Sequence, residues 1–184
     1  MGPFEFIFGL FGLLLGLCIA EIFGGLGRAF ELRGQIKLGW LTPLLAVLVL
    51  ADLASYWTAL WIERNNIPMN PLALMFGTVF AGVYYLAAYV VFPDNIKSGA
   101  DLDAHYFRVR RLVIGISATA FFGVGLLQML ATRTLAPRDF LLTAVFFVPT
   151  YSSALVAQRK WLTGGAVSLL IALNVVGAIT QTIF

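Results

Sequence analysis

Two carboxylates stand where a carboxylate is energetically expensive. Asp52 lies near the middle of Leu38–Ile62, LGWLTPLLAVLVLADLASYWTALWI, a run between Lys37 and Glu63 with no other charge. Glu21 lies in an earlier apolar run, seven residues before Arg28. A charged side chain at the centre of a spanning helix costs about 2.5–3.5 kcal/mol on insertion scales, and each Leu or Val returns about 0.3–0.6. The run around Asp52 can therefore still insert. An acid in hydrocarbon serves an ion or proton path, lines a polar ligand pocket, or ties helices together through hydrogen bonds. All three readings stand for Asp52. Glu21 is closer to a helix end and within snorkelling reach of Arg28, which favours the structural tie.

Other polar residues can be sorted by depth. Thr150 and Asn174 fall near the level of Asp52, and Tyr85 lies on the approach from the Glu21 side. Ser55 and Tyr56 share a helical face with Asp52. Pro149 removes a backbone donor, and carbonyls freed inside a membrane line a cavity or find a neighbouring donor. Asp52, Glu21, Tyr85, Asn174, Tyr56 and Thr150 are thus the candidate residues of a polar path. The competing reading is a set of ordinary interhelical hydrogen bonds. Trp57 and Trp61 read as packing and interfacial belt residues.

Gly12, Gly16, Ala20 and Gly24 recur at every fourth position, a small-residue ridge that lets another backbone approach closely. Its expected partner is another helix of this chain or a second subunit. Asp101, Asp103 and His105 invite a metal reading. On a helix, however, alternate residues diverge by about 200°, and the chain has no second histidine. These three read as a solvated helix face, and no metal site is predicted.

The absences narrow the chemistry further. His105 lies in a polar gap, which argues against histidine-ligated haem within the spans, and no span contains the lysine of a retinal Schiff base. There is no HExxH motif and no intramembrane histidine to activate a serine. Cys18 is the single cysteine, so no disulfide can form within the chain. No catalytic motif is recognisable, and the reading leans away from an enzyme. No cofactor is predicted, although the aromatic-rich runs suit a bound lipid, quinone, pigment or other hydrophobic ligand.

The elements that must position these residues follow from composition. Of the 184 residues, 60% are hydrophobic and 11% charged, with a mean hydropathy of +0.92. Soluble chains are about 25% charged. Six charge-poor stretches reach the ~20 residues that a spanning helix needs, over approximately 4–28, 39–62, 71–92, 112–132, 139–158 and 161–183. No basic segment precedes the first run, which is therefore expected to be retained as a span.

Lys and Arg set the orientation. The gaps after the first, third and fifth runs carry nine: Arg28, Arg33 and Lys37, then Lys97, Arg108, Arg110 and Arg111, then Arg159 and Lys160. The other gaps carry three, Arg64, Arg133 and Arg138. The richer side belongs in the cytoplasm, with both termini outside. These basic residues form no nucleic-acid-binding face, and no nucleic-acid partner is expected. Residues 98–111 predict a short amphipathic helix or an extension of the fourth span, with Ser98 and Asp101 as a capping box.

The expected fold is all-α: one polytopic membrane domain over 1–184, a six-helix transmembrane bundle in a bacterial inner (plasma) membrane. Its partners are the bilayer and either further copies of itself or a membrane subunit. The leading functional reading is a channel or carrier for a small ion, proton or polar solute. The alternatives are a non-transporting scaffold, sensor or accessory subunit packing through the glycine ridge, or a binder of lipid, quinone or pigment.

Overall fold

A computed structural model describes residues 3–65, 70–132 and 136–183. The helices are α1 (Pro3–Glu31), α2 (Leu41–Ile62), α3 (Pro71–Val91), α4 (Leu102–Leu127), α5 (Pro137–Val156) and α6 (Lys160–Ile183). A 3-10 turn, Glu63–Asn65, follows α2, and α4 runs on into a π-helical turn at Gln128–Thr132. All six helices are long and apolar enough to cross a membrane. Among the described residues there is no strand, only an isolated bridge between Lys37 and Asp101.

Local chemistry sets the helix starts. Pro71 and Pro137 occupy first-turn positions, where a missing N–H costs nothing and φ is already helical. The Asn70 side chain caps α3 by accepting from the Ala73 N–H at 2.9 Å. Asp101 does the same for α4, accepting from Ala104 at 3.1 Å. The expected Ser98 capping box is corrected here, because the cap is Asp101 itself. Ser98 lies upstream in a turn completed by Gly99 at φ +83°. The polar segment is an extension of the fourth span, so α4 begins at Leu102, well before the expected start at 112.

α2 packs along α6, α1 along α3, and α5 against α6, while α4 touches α2, α3 and α5. Leu41, Leu45, Leu48, Val49 and Leu53 of α2 are buried. That central place suits a helix apolar on all sides. Large apolar side chains also point outward on every helix, among them Phe23, Val47, Leu72, Leu112, Phe146 and Val176. A water-soluble monomer does not expose that much contiguous apolar surface. With the six long apolar helices, this surface is consistent with an integral membrane protein.

The three connections α1–α2, α3–α4 and α5–α6 gather at one end of the bundle. Lys37 N–H donates to the Ala100 carbonyl at 2.8 Å, Leu102 N–H to Lys37 at 3.0 Å, and Gly99 N–H to Gln35 at 2.7 Å. Gly39, at φ +62°, turns the chain into α2, and any β-carbon there would overlap the Asp103 carboxylate. These bonds tie the α1–α2 connection to the α3–α4 connection.

Candidate functional site

Asp52 sits midway along α2 with 1% of its surface exposed. The Tyr84 hydroxyl of α3 donates to its Oδ2 at 3.3 Å, and Ser117 of α4 lies beside the carboxylate. Ser117 is itself 3.0 Å from the Tyr151 hydroxyl of α5. Tyr56, one turn along α2, packs edge-on to the Tyr84 ring, with centroids 5.4 Å apart. Four helices thus surround one acid with hydroxyl groups. Among the described residues no Lys or Arg pairs with Asp52.

Beside this cluster, between α2, α4, α5 and α6, lies a pocket of about 310 Å³. Ser55 and Tyr56 form its wall nearest Asp52, the stacked rings of Phe121 and Phe147, with centroids 4.1 Å apart, line it together, and Asn174 and Gln128 add polar atoms. Small-molecule pockets have this size and this mostly apolar lining with a few placed polar groups. The pocket runs away from the connection end to the point where α4 turns π-helical, a local geometry that recurs at functional sites. A carboxylate among hydroxyls and aromatic faces suits a proton, a cation or a hydrogen-bond-donating solute, and repels anions.

The six expected path residues divide. Asp52 and Tyr56 are together, and Asn174 lines the neighbouring pocket while its Nδ2 donates to Leu170 O at 3.1 Å. Thr150 is buried, but its hydroxyl donates to Phe146 O at 2.7 Å in its own helix and not to Asp52. Tyr85 points outward, 38% exposed, and its neighbour Tyr84 takes the inward position. Glu21 pairs with Arg28 at 3.5 Å and is not among the groups acting on Asp52. Tyr84 and Ser117 are the site residues that sequence reasoning missed. Their only signal was a hydroxyl near the right depth.

A second buried carboxylate corrects the reading of 101–105 as a solvated face. Asp103 is 4% exposed. Its Oδ1 accepts from the Trp40 and Leu41 N–H groups at 3.2 and 3.1 Å, and its Oδ2 meets Lys160 Nζ at 2.7 Å. The carboxylate thereby caps the start of α2, where free N–H groups and the helix dipole favour a negative charge. His105 instead contacts the Val90 carbonyl at 3.0 Å. Nearby, buried Arg110 donates to the Ala157 carbonyl and, at 3.4 Å, to Thr163, which also meets the Tyr106 hydroxyl at 2.9 Å. Thr42 donates to Leu102 O at 2.6 Å. The threonines of both Trp-Leu-Thr helix starts (Trp40-Leu41-Thr42 and Trp161-Leu162-Thr163) therefore bond to α4.

The glycine ridge is mostly outside the chain's own contacts. Only Gly12 lies tight beneath a neighbour, the Trp57 ring. Gly16 has open space and Gly24 meets only Arg28 of its own helix, whereas off-ridge Gly25 packs against Phe92.

Fold and site together define an all-helical chain with six helices fit to span a membrane and an acid enclosed at their middle. No protein-family model, curated protein or solved structure matches this chain.

Proposed function

We propose that this protein is a membrane carrier or channel for a proton, small cation or hydrogen-bond-donating solute, with Asp52 as its central binding group. The observation that carries this reading is the pairing of a fully enclosed carboxylate, held only by hydroxyls, with a pocket one helical turn away. A purely structural acid in hydrocarbon is stabilised by an opposite charge or by several strong donors, and Asp52 has neither. Its hydroxyl partners can rotate between donating and accepting as a proton or cation arrives and leaves.

The bias of basic residues toward the connection end supports a cytoplasmic position for that end, with both termini outside. In that orientation the pocket lies on the outer side of Asp52. The layer of Tyr151, Tyr106, Thr163 and Arg110 lies toward the cytoplasm and forms the barrier that transport must open. Tyr84, Ser117 and Tyr56 orient the carboxylate, and Asn174 supplies a polar group to the outer pocket.

The test is flux into proteoliposomes, read with a pH-sensitive dye for protons and with Na⁺, K⁺ and methylammonium as further probes. Wild-type protein is expected to conduct at least one of them, and Asp52→Asn to abolish that flux while folding normally. Undiminished flux in Asp52→Asn, or none for any probe, overturns the assignment.

A second reading is favoured by one observation, the outward-facing Gly16, Ala20 and Gly24 on α1. A non-transporting subunit would use this strip to pack against a second copy or a membrane partner. Gly16→Ile is then expected to dissociate the assembly on size exclusion in detergent without lowering the monomer's thermal stability. An unchanged elution volume counts against that contact.

A further inference from the structure

The bundle carries two hollows that meet at Arg111. One, of about 540 Å³, is an open groove between α3 and α4, walled by residues such as Val79, Val83, Leu112, Gly115 and Ala120. The other, of about 450 Å³, lies at the connection end and is lined by Phe107, Arg108, Arg110, Arg111 and Gln158. Arg111 lines both.

The two hollows have different chemistry. The α3–α4 groove is apolar, and its rims face outward, with Val79 66% and Leu112 53% exposed. From Arg111 to Val124 it follows α4 for about 20 Å at 1.5 Å per residue, comparable to an extended acyl chain. Small residues, Gly115, Ala120 and Gly123, keep its floor low on the α4 side. The basic hollow holds three guanidinium groups and one amide. Arg108 and Arg111 are exposed and join no ion pair among the described residues. Arg110 is buried, and its Nε has no hydrogen-bond partner. No acid lines this hollow.

We propose that these two hollows form one binding site for an anionic phospholipid. Its phosphate-bearing headgroup sits among Arg108, Arg111 and Gln158, and one acyl chain lies along the α3–α4 groove. Charge complementarity decides the occupant: planar guanidinium groups match phosphate oxygens in pairs, and basic hollows at the cytoplasmic ends of spanning helices take anionic headgroups. A zwitterionic lipid offers the same chain, but its cationic headgroup offsets the phosphate. The apolar groove distinguishes a lipid from free phosphate, which has no use for it. The groove also includes Tyr84, so the chain packs against the ring whose hydroxyl holds Asp52. The site rests on the proposed membrane placement and not on transport.

The test uses the full-length protein in detergent. Native mass spectrometry would compare retention of phosphatidylglycerol and phosphatidylcholine, and thermal unfolding would be followed with each lipid added. Wild type is expected to retain phosphatidylglycerol on the order of tenfold more strongly, the equivalent of about 1.4 kcal/mol, and to gain thermal stability from it. The double variant Arg108→Gln/Arg111→Gln, at exposed positions, is expected to lose that preference while still binding either lipid weakly. Gly115→Leu, which fills the groove floor, is expected to weaken both lipids and leave the headgroup preference in place. The proposal is overturned if the double variant keeps the preference, or if Gly115→Leu changes nothing. It is equally overturned if millimolar inorganic phosphate displaces the lipid completely, or if a second copy of the chain crosslinks through the groove.

Discussion

Asp52 and Asp103 are both buried acids, yet their surroundings differ in kind. Asp103 receives two backbone N–H bonds at the start of α2 and an ammonium at 2.7 Å. Every strong donor it needs is fixed in place, and it holds three connections together. Asp52 receives a hydroxyl proton from Tyr84, has Ser117 beside it, and meets no positive charge among the described residues. Next to Asp103 the packing is tight enough that Gly39 admits no side chain, whereas next to Asp52 a pocket remains. The same functional group is fixed by backbone donors and an ammonium in one place and meets a hydroxyl near a pocket in the other. Burial alone does not tell the two apart. The donor set and the neighbouring space do.

That contrast can be broken by substitution. The largest effect is expected from Asp52→Asn in flux. Removing the charge that binds a cation costs about 2–5 kcal/mol, or roughly 30-fold to several thousand-fold. Thermal unfolding of the same variant is expected to shift little, because Asn can still accept from Tyr84. Asp103→Ala should show the reverse. It loses charge-assisted bonds to two backbone donors and the cap of α2, about 2–3 kcal/mol of stability. Flux per folded molecule is expected to stay near wild type. A fall in flux with unchanged stability in Asp103→Ala would erase the distinction.

Smaller effects sharpen the comparison. Tyr84→Phe removes one neutral donor from Asp52, worth about 1 kcal/mol, so a several-fold fall in flux is expected from proteoliposome assays. Lys160→Ala should matter least. Its ammonium is more than half exposed and screened by water and salt, so only a slight drop in melting temperature is expected, and a smaller one at high salt.

Much of the scaffold was legible in the sequence because a spanning helix announces itself by length and apolarity. Five spans lie within a few residues of expectation. The fourth starts about ten residues early because hydropathy ends at Arg111, whereas the backbone hydrogen bonding of a helix continues through an amphipathic stretch to its cap at Asp101.

The site was legible only in outline. Asp52 stood out because one charge in an apolar run is conspicuous, and Tyr56 followed from helical spacing. The choice between Tyr84 and Tyr85 depends on which face of α3 is buried, and adjacent residues on a helix differ by about 100°. α3 is apolar all round, so its sequence carries no phase. Asp103 was misread for a related reason. Alternating polar residues at 101, 103 and 105 look solvated until the α1–α2 and α5–α6 connections fold over them, and those contacts are long-range.

The most direct test of the difference between the two acids is labelling by a hydrophobic carbodiimide in intact membrane vesicles, followed by peptide mass spectrometry. Asp52, one helical turn from the pocket and held by a hydroxyl, is expected to be modified, and Asp103, bonded on both oxygens, to be spared. Ala178→Trp, which fills the pocket wall, should suppress labelling of Asp52. Modification of Asp103 with Asp52 untouched would contradict the assignment of Asp52 as the working carboxylate.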